Sequence, residues 1–294
     1  MPPVNRALSA GQTLLVTGPA SLKVLNGTME ALGVEVGPRT ITVVRAGKAI
    51  PLTALGPSNV ELALGEDASV ETLEYDPFPG LWRSTLRGLV VKRPSSVAVL
   101  GGTDSGKTTF CIMLANHAVR ARLRVALIDG DIGQAELGAP TTVSMAFIKE
   151  QTIDLFPLTA GKAYFVGTTT HSVLPGRLID DLEKLQRAAA EKGADLVVLN
   201  TDGWVEGLAA IEHKAGIINR LRPDVCIMLQ SSQELQGLAE AVGRTGCQTI
   251  MLPVPPSIKK RSREERRELR QLRYRKALKG LACRTMRLGQ VRLE

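Results

Sequence analysis

The chain is poor in aromatic residues, with five Phe, three Tyr and two Trp among 294 residues. A core built with so few rings must rest on Val, Leu, Ile and Ala, so each aromatic in a loop is more informative than usual. Cysteine is scarcer still. Cys111, Cys226, Cys247 and Cys283 stand far apart, with no pair at zinc-ligand spacing and nothing that requires an oxidising compartment. Cys111 and Cys226 fall in apolar runs and read as small core residues. No apolar run reaches membrane-spanning length, and the opening Met1-Pro2-Pro3-Val4-Asn5-Arg6 does not read as a secretory leader. The expectation is a soluble, cytoplasmic protein without membrane contact.

What remains is ordinary in bulk, 44% apolar and 22% charged, and long enough for two domains. The formal net charge of +8 is unevenly spread: thirteen Lys/Arg and three Asp/Glu lie between Lys259 and Arg287, leaving the rest slightly acidic. Such a run is either a solvated basic helix or a contact for polyphosphate or nucleic acid.

Three parts are expected. Residues 1–80 carry short β-rich pieces between Gly, Pro and Asn turns, at 13–17, 21–25, 40–45, 59–64 and 68–73, and read as a small all-β sandwich or barrel. Residues 81–256 alternate apolar strands, at 97–100, 125–129, 163–166, 196–200, 225–229 and 249–252, with helical stretches near 107–121, 176–192, 207–221 and 233–242. That pattern is α/β, a parallel sheet covered by helices on both faces, with its ligands at the carboxyl ends of the strands. Residues 257–294 form a basic C-terminal segment. Prolines 253, 255 and 256 end the preceding structure, and Ser262 with Glu265 spells a capping box. Arg261 then falls just before the helix and Arg266 in its first turn or so, placed to close over a triphosphate as a lid.

The most specific string is Gly101-Gly102-Thr103-Asp104-Ser105-Gly106-Lys107-Thr108, followed by Thr109. It sits between an apolar strand and a helical stretch, the context of a phosphate-binding loop. Glycines let successive N–H groups face phosphate oxygens, the helix N-terminus adds partial positive charge, Lys107 reaches the β/γ-phosphates, and the Thr108 hydroxyl is a Mg²⁺ ligand. The next strand ends Asp129-Gly130-Asp131-Ile132-Gly133-Gln134. Asp129 takes the position that faces the metal site; a second carboxylate two residues on suggests a base for an acceptor hydroxyl, or a turn chosen for backbone geometry. Thr201-Asp202-Gly203-Trp204 follows another strand, and Trp204 either stacks on a base or plugs the turn. His171 lies past the 163–166 strand, near a substrate phosphate or there incidentally.

Together these residues resemble the RNA 5′-hydroxyl polynucleotide kinase family, which includes the kinase-like subunit of the mRNA 3′-end cleavage machinery, pre-rRNA-processing relatives and archaeal polynucleotide kinases. The segments that carry the resemblance are the phosphate loop, Asp131-x-x-Gln134, Thr201-x-Gly203-Trp204, Tyr164–Thr170, the Gly18–Gly27 opening, and Arg261 with Arg266. It implies transfer of the ATP γ-phosphate to the 5′-hydroxyl end of RNA or DNA. In that reading Lys107 steadies the β/γ-phosphates, Thr108 binds Mg²⁺, and Asp129 supports it through water. Asp131 accepts the hydroxyl proton; Gln134 and the Thr201–Trp204 clasp hold the first nucleotide; Arg261 and Arg266 stabilise the migrating phosphoryl group. Trp82 and Trp204 are both candidates for stacking on the terminal base. The sequence stops soon after the basic helix, which resembles a compact, stand-alone version with no obligate protein partner evident. The rivals are an inactive ATP-binding RNA-processing assembly factor, a P-loop switch ATPase or GTPase, and a small-metabolite kinase. No convincing Asn-Lys-x-Asp guanine-reading motif is present.

Overall fold

A computed structural model describes residues 3–282 and 285. Cys283 and the end of the expected 257–294 segment lie outside the described residues. The first nine strands are β1 (Val4–Leu8), β2 (Thr13–Thr17), β3 (Ala20–Asn26), β4 (Met29–Ala31), β5 (Val34–Val36), β6 (Ile41–Val44), β7 (Ala49–Ala54), β8 (Ser58–Leu64) and β9 (Ser69–Leu73). They form two antiparallel sheets, ordered β1-β8-β3-β6 and β5-β4-β7-β2-β9. Period-two burial sets the faces: Leu22, Val24, Val60 and Leu62 of the first sheet share one core with Leu14, Val16 and Leu52 of the second.

Strands β1, β4, β5 and β7 were not expected from the sequence. In β7 the obstacle is Pro51, which cannot donate to a ladder. It is tolerated because β4 pairs only with Thr53 and Ala54, leaving Pro51 unflanked on that side. Between β4 and β5 the turn is Leu32-Gly33, both at positive φ (51° and 84°), a primed hairpin turn with leucine where asparagine is usual. Tertiary contact supports it: Leu32 is buried, and Asn116 donates to its carbonyl at 2.8 Å.

The second layer contains β10 (Ser96–Gly101), β11 (Val125–Asp129), β12 (Thr142–Ile148), β13 (Lys162–Phe165), β14 (Leu196–Asn200), β15 (Val225–Gln230) and β16 (Gln248–Pro253), in the order β13-β12-β11-β14-β10-β15-β16. Strands β11, β14, β10, β15 and β16 are parallel neighbours, as the α/β pattern requires. The sheet departs from all-parallel at β12, which was not anticipated and runs antiparallel to both β11 and β13. No helix separates β11 from β12, so the chain returns directly alongside.

The helices are α1 (Gly80–Lys92), α2 (Lys107–Arg120), α3 (Pro175–Glu191), α4 (Leu208–Leu221), α5 (Gln236–Gly243) and α6 (Arg263–Ala277). Alternate residues of β10 go to opposite faces. Val97 and Val99 meet α1, α2 and the β-sandwich core, whereas Ala98 and Leu100 meet the α3, α4 and α5 side. Burial on both faces is why these strands read as unbroken apolar runs. Gly101, Asp129 and Asn200 end the adjacent strands β10, β11 and β14, which brings three polar loops to one edge. No described helix is long and apolar enough to cross a membrane.

Helix α1 was missed, although Trp82, Leu86 and Leu89 recur at helical spacing. Its tryptophan corrects an expectation. Trp82 is fully buried, stacks on Phe78, meets Phe110 edge-on, and donates its indole N–H to Pro253 O at 2.8 Å. It supports the phosphate loop from beneath and does not stack on a base. Trp82→Ala is expected to lower folding stability by about 3–5 kcal/mol, the usual cost of emptying a large aromatic site, as measured by denaturant titration against the wild type.

Candidate active site between the phosphate loop and the basic helix

Two glycines shape the phosphate loop. Gly101 has φ 155°, and a Cβ there would lie 2.8 Å from Leu229 O; Gly106 caps α2 at φ 93°, and a Cβ would lie 2.8 Å from Ile258 and 3.2 Å from Trp82. No larger residue fits either position. Inside the loop the Ser105 hydroxyl oxygen is buried without a partner, and Lys107 Nζ donates to Gly102 O at 2.6 Å. Burial brings the lysine pKa down to about 8, against the attraction of Asp131.

The end of β11 supplies two differently held carboxylates. Asp129 is enclosed. It accepts from the Glu136 and Leu137 N–H groups, and Asn200 Nδ2 donates to Asp129 Oδ1 and to Thr108 Oγ1, both at 3.3 Å. Asn200 therefore ties the loop threonine to the strand-end aspartate. Burial pushes the Asp129 pKa up to about 6, the N–H of Glu136 offsetting part of the effect. Asp131 opens onto the cavity, with Oδ1 accepting from Gly133 N at 3.0 Å and Gln134 N at 2.8 Å. Burial, then the neighbouring charge of Asp202, raises its pKa above the ordinary carboxylate range. A carboxylate so placed is more basic than one in water.

The loop after β14 reaches the phosphate loop backbone to backbone. A Cβ on Gly203 would lie 2.8 Å from both Thr103 N and Thr103 Cα. Thr201 gives its hydroxyl to Val99 O at 2.8 Å, fastening the loop to β10. Asp202 accepts from Trp204 N at 2.8 Å and forms an ion pair with the fully buried Lys214 of α4. His171 Nε2 lies 3.5 Å from the same carboxylate. Burial opposes the ionised form of Asp202, but Lys214 and His171 outweigh it and hold its pKa low. Trp204 is half-buried, its ring 5.7 Å from that of His213, and it lines the cavity.

The basic helix closes the far side. Ser262 and Glu265 form the expected capping box. Asp104 of the phosphate loop accepts from Arg261 N at 3.0 Å, Arg261 Nη1 at 3.3 Å and Arg266 Nη2 at 2.7 Å. Burial would raise its pKa; these donors outweigh it and bring the pKa below the ordinary value. Further along α6, the buried Arg273 meets Glu136, which also takes Lys48 from the β-sandwich. Despite burial, Lys48 and Arg273 draw the Glu136 pKa down to about 2.

One cavity of about 790 Å³ is lined by the 102–109 loop, Asp131, Gln134, Thr201, Gly203, Trp204, Arg261 and Arg266, together with His171. Asp129 and Gly101 stand behind it, buried. Sequence reasoning missed Asn200, Lys214, Glu136 and Lys48. The only signals were a polar residue ending an apolar strand and charged residues within otherwise amphipathic stretches. Their roles depend on partners 12 to 137 residues away.

The sequence matches the family model described as mRNA cleavage and polyadenylation factor CLP1 P-loop over residues 101–280. The match covers more than half of the chain, and the chain belongs to this family. It is 34% identical over 186 residues to a polyribonucleotide 5′-hydroxyl-kinase of Pyrococcus horikoshii, covering 63% of this chain and 50% of that protein. A relative of the same description from Pyrococcus furiosus is 34% identical over 205 residues, 70% of this chain and 56% of its own. Polyribonucleotide 5′-hydroxyl-kinase Clp1 of Gallus gallus is 31% identical over 204 residues, 64% and 46% of the two chains. The chain thus spans about half the length of the curated relatives it matches. A solved structure of a wild-type Clp1p–Pcf11p complex superposes with a TM-score of 0.76 at 14% identity, over 93% of this chain and 72% of that one, which shows the shared fold.

Two outcomes follow from the buried charges. Lys214→Met removes the ion-pair partner of the buried Asp202 and leaves only His171 beside it, so stability should fall by about 3–5 kcal/mol in denaturant titration. Glu136 has a folded pKa near 2 against 4.5 ordinarily. Its contribution is therefore full above pH 4.5 and lost as pH falls through about 2. Melting curves of wild type and Glu136→Gln should differ most above pH 4.5 and converge below that range.

Proposed function

We propose that the chain transfers the ATP γ-phosphate to the 5′-hydroxyl end of RNA, with DNA ends as a second acceptor to be tested. The observation that carries this reading is the close approach of Gly203 to Thr103. It sets a loop bearing an aromatic side chain against the phosphate loop, so a donor phosphate and an acceptor strand end would share one cavity with Asp131. The relatives' printed activity supports the same reading.

The residues present fit a nucleoside triphosphate with Mg²⁺. The unpartnered Ser105 hydroxyl and the two positions where only glycine fits support the reading of this loop as a phosphate cradle. Lys107 is held at its rim, and the Thr108 hydroxyl faces Asp129 through Asn200. Residues 101–109 would hold the nucleotide and Thr108 the metal; Asp129, its oxygens already engaged, would act through water. Mg²⁺ would supply charge neutralisation on the phosphates. Asp131, raised in basicity and open to the cavity, would take the proton of the attacking 5′-hydroxyl. Gln134 and the Thr201–Trp204 loop would position the terminal nucleotide. Arg261 and Arg266 would exchange Asp104 for the transferring phosphoryl oxygens, the placement that stabilises charge in phosphoryl transfer.

The test is transfer of γ-labelled phosphate from ATP/Mg²⁺ to a short 5′-hydroxyl oligoribonucleotide, beside a 5′-phosphorylated strand and a DNA strand. Label is expected on 5′-hydroxyl ends alone. Binding of ATP without label would favour an inactive assembly factor. Asp131→Asn is expected to keep ATP binding and lose transfer by about 10²-fold or more, the scale of a general base; near-normal transfer would remove Asp131 from that role.

A further inference from the structure

Phe165 ends β13, an outer strand of the seven-stranded sheet, and 64% of its surface is exposed. Three cations lie along the strand and the helix packed on it. Arg177 of α3 donates to Phe165 O at 2.8 Å, and the ammonium groups of Lys162 and Lys184 lie 5.5 and 5.3 Å from the ring centre of Tyr164. The nearby acids are Asp181, 2.8 Å from Lys184 and 3.8 Å from Arg177, and Asp180, which pairs with Arg220 of α4, so positive charge is in modest excess. Tyr164, Phe165, Arg177 and Lys184 line a shallow depression of their own.

This patch is continuous with the site. Strand β13 lies two strands from β11, about 10 Å at ordinary inter-strand spacing. Phe165 is opposite Thr142, whereas Asp129 is opposite Ser144, so Phe165 projects farther out along the same carboxyl edge. The chain that follows runs back to Asp131: a Cβ on Gly133 would lie 3.2 Å from Thr169 O and 3.9 Å from His171.

We infer that this patch is a second polynucleotide subsite, where Phe165 stacks on a base 3′ to the accepting nucleotide and Lys162, Arg177 and Lys184 meet the strand's phosphates. An exposed ring beside flexible cations is how single strands are held without sequence preference. The inference rests on the proposed acceptor being a polynucleotide. An apolar protein segment would gain the ring but offer nothing to Lys162 or to the two cations that share Asp181.

Fluorescence anisotropy with 3′-labelled 5′-hydroxyl oligoribonucleotides, a dinucleotide and a decamer, tests it on wild type, Phe165→Ala and Phe165→Trp. Phe165→Ala should bind the decamer about tenfold more weakly, the loss of one base–aromatic stack. The dinucleotide should bind as before, and Phe165→Trp should retain decamer affinity. In transfer assays the alanine variant should raise KM for the decamer and leave kcat unchanged. Unchanged decamer affinity, or equal weakening of both ligands, would overturn the subsite while leaving the kinase reading intact. Phe165-dependent decamer binding without any phosphate transfer would support the subsite and sink the kinase reading. A wild type that binds neither oligonucleotide would overturn both.

Discussion

The site depends on one steric fact: the loop after β14 touches the phosphate loop at Gly203, with no side chain of its own at the contact. Gly203 is the only residue type that allows it, because an added Cβ would meet Thr103 backbone atoms at 2.8 Å. The sheet makes the contact available, since β14 is the immediate neighbour of β10. Thr201 then fixes the height of the loop by bonding to Val99 of β10, and Asn200 bridges Thr108 and Asp129 across the same strands. Three loops thus inherit their spacing from hydrogen-bonded strands about 4.8 Å apart, which gives a rigid frame for groups that must be held to a fraction of an ångström.

Burying so many charges near that contact is costly unless they are paired. The protein meets the problem by giving each carboxylate one or two cations: Asp202 with Lys214, Glu136 with Lys48 and Arg273, and Asp104 with Arg261 and Arg266. Asp129, Asp131 and Lys107 are the exceptions. None has an ion-pair partner within salt-bridge distance among the described residues, and burial shifts each toward its neutral form. A group held in that state gains most when a ligand supplies the missing counter-charge. The paired groups form the frame; of the three unpaired ones, Lys107 and Asp131 face the cavity and Asp129 stands behind it.

Much of this was legible in the sequence. The phosphate loop, the two aspartates at the end of β11 and just beyond it, the Thr201–Trp204 turn and the capping box at Ser262 are local strings whose chemistry depends on neighbours a few residues away. Elements fixed by distant partners were not legible. The β4–β5 turn uses leucine at positive φ because Asn116 and the core hold it there. Pro51 breaks the strand signature of β7, and the short reach of β4 is what permits it there. Lys214 reads as an ordinary helical lysine, and only the fold brings Asp202 to it.

The basic segment shows why charge counts along a sequence mislead. The run from Lys259 suggested either a solvated helix or a phosphate contact, and α6 divides between the two. Arg266, Arg273 and Lys276 turn inward at helical spacing, toward Asp104, Glu136 and the Phe156 and Leu158 carbonyls, while Arg263, Arg267 and Arg275 remain exposed. Their inward partners come from the phosphate loop, the loop after β11 and the segment after β12. Part of the apparent cationic excess is therefore already matched within the fold. Only the arginines on Asp104 combine cavity exposure with an acidic partner on the phosphate loop itself. An incoming phosphate would replace one anion with another at those two side chains, so the helix need not expose bare charge before a ligand arrives.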